Sequence, residues 1–167
     1  PEQPELILQG IAASPGVAHG PAFVYLQKRL EIPSYHVSKE GQAHEISRFE
    51  AALLETRRQV SVLRDEVANR LGEDEAAIFD AHLMVLEDKA LIDETIREME
   101  QTALNVDKAF EVVAERYIEA FSLIPDSYLR ERVADLRDVS RRLLHNLLGK
   151  PDVTIGRLTE NRVIVTD

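Results

Sequence analysis

Apolar positions recur along this chain with two different periods, and the switch between them divides it. Near the start, Leu6 to Ile11 and Ala18 to Tyr25 are short and apolar, on either side of Ser14-Pro15-Gly16. Runs of that length around Pro and Gly predict two short strands and a turn, with Pro15 presetting φ and Gly16 free to take φ > 0. A hairpin by itself is marginal, so these strands need a larger sheet to join. From Ser38, an N-cap residue type, the period becomes three or four: Ile46, Phe49, Leu53, Val60, Leu63, Val67 and Leu71, then Gly72. That spacing predicts one helix of about 30 residues ended by the glycine.

A second helical stretch runs from Glu73 to Glu100, with a break expected near Glu87–Lys89. A third begins near Asn105 and turns Val106, Phe110, Val113, Tyr117 and Phe121 one way. After Pro125, Asp126 or Ser127 can cap a fourth, with Leu129, Val133, Leu136, Leu143 and Leu147 inside and Gly149 and Pro151 as stops. Arg162 to Thr166 predicts a final strand. The order describes a mainly α protein: a four-helix antiparallel bundle inserted into an incomplete α/β subdomain with short strands at both chain ends. Residues 1–37 are assigned to the first strands and a linker, 38–149 to the helical domain, and 150–167 to the return strand.

Composition narrows the chemistry. The 167 residues are 44% hydrophobic and 30% charged, the balance of a folded globular chain. Cysteine is absent, which excludes disulfides, thiol nucleophiles and zinc–thiolate sites and fits a reducing, cytoplasmic setting. No apolar run approaches the ~20 residues that span a bilayer, and the net charge of −10 argues against nucleic acid. The five histidines, His19, His36, His44, His82 and His145, are not paired at metal-ligand spacing. Asp80 stands two before His82, on another helix face, and His145 follows Arg141 and Arg142. The residues propose no catalytic group, no metal site and no cofactor.

Two segments remain dense in function-bearing side chains. Glu73 to Glu100 carries ten acidic residues against Lys89 and Arg97, most of the chain's net charge. Within it His82 stands four from both Ile78 and Leu86, so a greasy patch with a histidine is ringed by acid. That pattern suits docking of a basic partner, or a helix with one core face and one solvated face. In Tyr128 to Leu144, Arg132 and Asp135 stand three apart, as do Asp138 and Arg141, so pairing within the helix accounts for much of the charge. Arg132 or Arg137 could instead turn to a cleft and hold a phosphoryl group or a partner carboxylate.

Three stretches resemble one family in the same order: GIAASPGVAHGPA at 10–22, EAAIFDAHLMVLED at 75–88 and YLRERVADLRDVSRRLLHNLLG at 128–149. They are similar to the amino-terminal half of enzyme I of the bacterial phosphoenolpyruvate-dependent phosphotransferase system. The resemblance implies a helical domain that docks the phosphocarrier HPr, inserted into an α/β subdomain whose histidine passes on the phosphoryl group. It places Glu73, Asp74, His82, Met84, Val85, Glu87, Asp88 and Leu91 on the carrier-binding surface, with Arg132 beside them. Phosphoenolpyruvate and Mg²⁺ would belong to a carboxy-terminal barrel outside this chain. The family's Thr-Ser-His-type segment has no match here, and Lys89-Ala90 replaces acidic residues. The expectation is therefore an amino-terminal fragment, with the phosphoryl-donor histidine and the barrel lying elsewhere in the parent, monomeric and without catalysis of its own. A nitrogen-branch paralogue would dock the nitrogen-branch carrier, and a purely structural bundle would dock none.

Overall fold

The computed structural model describes residues 15–25, 30–150 and 162–166. It divides into two compact units, residues 30–153 and residues 1–29 with 154–167. Among its described residues the larger unit holds five helices: α1 (Lys39–Arg70), α2 (Glu73–Leu86), α3 (Lys89–Thr102), α4 (Val106–Ser122) and α5 (Ser127–Leu147). α1 lies along α2, α3 along α4, and α5 along α4, α1 and α2.

Local chemistry sets the helix ends. The Ser38 hydroxyl accepts from the Gly41 N–H at 3.3 Å, closing the first turn of α1. Gly72 has φ +124°, and a Cβ there would also lie 3.0 Å from Glu75 Oε2, so only glycine makes this turn without strain. The second predicted stretch breaks at Glu87-Asp88, where the Asp88 carboxylate accepts from the N–H groups of Ala90 and Leu91 and starts α3. Two helices therefore take the place of one. α3 ends on Ala103 at φ +54°, a left-handed residue without glycine's freedom.

The core follows the apolar periods. Phe49, Val60, Met99, Val106, Phe110, Val113, Val139 and Leu143 are at most 2% exposed, each burial worth roughly 1.5–3 kcal/mol. The Phe49 and Phe110 rings meet 5.8 Å apart. Two positions depart from the pattern. Leu71 is 68% exposed. The gap between Leu53 and Val60 is filled by Thr56, fully buried, whose hydroxyl donates to the Ala52 carbonyl and accepts from Asn146 of α5.

Two turns earlier on α1, polar groups converge around Arg48. Its guanidinium donates to Glu45 at 2.8 Å, to Asp107 at 3.2 Å and to the Leu147 carbonyl at 3.1 Å. Glu45 in turn accepts from the Val106 N–H at 3.0 Å, supplying the start of α4 with a partner that Asn105's own side chain does not provide. Asn105 is instead committed to the incoming chain, accepting from the Tyr35 N–H and donating to the Pro33 carbonyl. Val37 N–H donates to the Ala103 carbonyl at 2.8 Å, and His36 bridges Leu104.

The smaller unit contains β1 (Ala22–Tyr25) and β2 (Val163–Thr166), paired in parallel with Ala22 opposite Val163 and Tyr25 opposite Thr166. The two chain ends thus share a sheet, as the sequence suggests, and a parallel pair requires a long crossover between its strands. Gly16 has φ +140°. The predicted strand Leu6–Ile11, Ser14 of the turn, Pro151, and the Leu129 side chain lie outside the described residues.

Candidate functional site

The end of α2, the end of α4 and the first half of α5 enclose an apolar groove of about 290 Å³. Ala81, Met84, Val85 and Asp88 reach it from α2 and the turn after it, at the three- and four-residue spacing that shares a helix face. Leu91, from the first turn of α3, also lines it and is 5% exposed. α4 supplies Tyr117 and Phe121, four apart, their rings edge-on at 6.3 Å. α5 supplies Arg132, Asp135 and Leu136. Met84 stands out of this lining at 72% exposure. Burial, then the acidic Glu94 and Asp88, push the Tyr117 phenol up from its ordinary value.

Five of the residues singled out in the sequence, Met84, Val85, Asp88, Leu91 and Arg132, therefore meet at one groove. His82 is set deeper. Its side chain is 12% exposed and stands edge-on to Phe79, with Nε2 enclosed and 3.5 Å from Asp135 Oδ1, too long for a well-formed hydrogen bond. Glu73 and Glu87 are exposed and do not line the groove: Glu73 bonds Arg64 at 2.9 Å, and Glu87 bonds Arg57. Asp74 is exposed in the first turn of α2, where Glu73, Asp74 and Glu75 all complement the helix dipole.

The acidic stretch is less unbalanced in space than in sequence. α1 brings Arg57 to Glu87 and Arg64 to both Glu73 and Asp80, and α4 brings Arg116 to Glu98. Three cations thus offset a formal excess of eight. The sequence reading missed Ala81 and Asp135 as lining residues; it turned Tyr117 and Phe121 to one helix face and Leu136 inward, and Leu136, 4% exposed, both packs in the core and lines the groove. Only the helical spacing of Tyr117 and Phe121 hinted at a shared face. Among the described residues no group of three His, Asp or Glu side chains could hold a metal ion. No described helix is long and apolar enough to cross a membrane.

Residues 9–132 match the family described as PEP-utilising enzyme, N-terminal. The chain is 36% identical over 163 residues to a phosphoenolpyruvate-protein phosphotransferase of Priestia megaterium, covering 96% of this chain and 28% of that protein. A protein of the same name from Haemophilus influenzae is 32% identical over 159 residues, at 95% and 28% coverage. The chain thus spans little more than a quarter of these relatives. Among solved structures, an NMR solution structure of Enzyme I superposes with a TM-score of 0.81 at 33% identity, over 96% of this chain and 64% of that one. The N-terminal domain of Enzyme 1 - Nitrogen gives 0.65 at 26% identity, over 86% and 58%. With its family match running from before β1 into α5, and its fold shared with enzyme I, the chain belongs to the amino-terminal family of PEP-utilising enzymes.

Proposed function

We propose that the helical unit docks an HPr-type histidine phosphocarrier, as part of a phosphoenolpyruvate-protein phosphotransferase. The observation that carries this reading is Met84, 72% exposed on the rim of an apolar groove bordered by Asp88, Asp135 and Arg132. Met84 continues an open apolar groove, and contiguous apolar surface of this kind marks interaction sites, while acidic groups beside it favour a basic partner. Glu73, Asp74 and Glu87 extend the acidic border as sites of steering, while Val85 and Leu91 form the greasy floor. His82 supports the groove from beneath. The phosphoryl donor histidine, phosphoenolpyruvate and Mg²⁺ belong to other parts of the parent enzyme. The higher similarity to Enzyme I than to its nitrogen counterpart supports the sugar-branch carrier.

The test is titration of ¹⁵N-labelled chain with unphosphorylated HPr. Shifts clustered at residues 81–91, 117–121 and 132–136 are expected. Met84→Asp should weaken binding at least ~10-fold, as central apolar anchors do, with the helical spectrum intact. Silence with HPr and shifts with the nitrogen-branch carrier would reassign the partner. Silence with both would leave a structural bundle, a reading favoured by the arginines that offset part of the acidic face.

A further inference from the structure

His82, Asp135 and Arg132 form a chain of contacts that starts inside the bundle and ends at the groove. His82 Nε2 is shut off from solvent with no hydrogen-bond partner, and Asp135 Oδ1 stands 3.5 Å from it. The other oxygen of the same carboxylate, Oδ2, stands 3.5 Å from Arg132 Nη1. Exposure rises along the chain: 12% for the His82 side chain, 14% for Asp135 and 40% for Arg132. The two ends sit on different helices, α2 and α5, so the carboxylate spans the floor between them.

A carboxylate with so little access to water needs partners for both oxygens, and here each oxygen faces a different one. His82, edge-on to Phe79, faces one oxygen at 3.5 Å and limits where that side of the carboxylate can turn. The second oxygen is then aimed at Arg132. A guanidinium on a flexible stem loses less freedom on binding when its direction is already set. We propose that Asp135 is a positioning residue: it presents the Arg132 guanidinium to an acceptor on the docking carrier, and His82 holds Asp135 in place to do so. The inference rests on the docking reading of the groove. It adds a residue that contributes to affinity through Arg132 and not through its own contact with the carrier.

A double-mutant cycle on the 167-residue chain, with unphosphorylated HPr as the probe, separates these roles. Asp135→Asn preserves shape and removes the charge; Arg132→Met removes the guanidinium and keeps an apolar stem. If Asp135 acts through Arg132, Asp135→Asn weakens binding about 5-fold in the parent chain and less than about 2-fold in the Arg132→Met background, since coupled residues are non-additive. The Arg132 Nε–H resonance should also broaden in Asp135→Asn without carrier present, the sign of a side chain that has lost its fixed direction, while the backbone amides of α5 keep their line widths. Equal losses in both backgrounds would overturn the proposal, as would an unchanged Arg132 signal. Asp135→Ser serves the same cycle if the Asn variant unfolds. Unchanged affinity in Asp135→Asn and Arg132→Met, with a loss in Met84→Asp, would overturn the positioning role and leave docking intact. Unchanged affinity in all three would overturn docking itself.

Discussion

Arg57 and Glu87 are hydrogen-bonded across α1 and the end of α2, although 30 residues separate them in the chain. The pair shows how a run of acid in sequence is answered by cations from another helix. Glu87 thus borders the proposed docking groove while already holding a partner of its own, and both side chains remain about half exposed.

Glu87→Gln should change stability by less than ~1 kcal/mol, because an exposed pair gains little over its hydrated ions. Urea unfolding checks this. Association with a basic carrier should slow as salt rises, and slow further in the variant at low salt, by stopped-flow fluorescence.

Arg48→Met should cost about 3–5 kcal/mol, since it strands two carboxylates in the interior. Glu45 and Asp107 have side chains only 6% and 1% exposed. Thermal and urea melts measure the loss, which is large against the 5–15 kcal/mol of an ordinary domain.

The same cluster predicts an acid limb. Burial alone would raise the Glu45 carboxyl, but the Val106 N–H and the Arg48 guanidinium outweigh it and hold it below its ordinary 4.5. A depressed folded value means that its contribution is complete above the unfolded value and is lost as pH falls through the folded one. The stability gap between the parent chain and Glu45→Gln should therefore narrow from pH 6.5 towards pH 3. A gap that stays constant in urea melts at both ends would contradict the assignment.

Much of this architecture was legible in the chain because it rests on local periods. Ser38 as cap, the turn at Gly72, the break at Glu87–Lys89 and the strand at 163–166 are all written within a few residues of where they act. The Arg48 cluster was not legible, because Glu45 and Asp107 are 62 positions apart and neither breaks a local pattern. Thr56 hides for a similar reason: a polar residue in an apolar period looks like a gap until Asn146 arrives from α5. In the groove, the acidic and apolar pattern of residues 73–91 drew attention to α2, and the resemblance added Arg132. Asp135 was dismissed as an intra-helix partner of Arg132, since its second neighbour, His82, lies 53 positions away on another helix.

Ala103→Gly should stabilise the chain by roughly 0.5–1 kcal/mol, because glycine adopts left-handed backbone without the Cβ penalty that alanine bears at φ +54°. A rise in melting temperature is the readout. No change would contradict the strain assigned to Ala103.

The parallel register of β1 and β2 also sets an order of assembly. Ala22 finds Val163 only after 141 positions of chain. During synthesis at about 5–20 residues per second, the first strand waits on the order of ten seconds for its partner, long after the helices have had time to form. The helical insertion is then a prefolded loop whose closure costs far less entropy than a free chain of that length. Mutations that slow the bundle should therefore delay the sheet, whereas mutations in the sheet should leave the bundle's own folding rate unchanged.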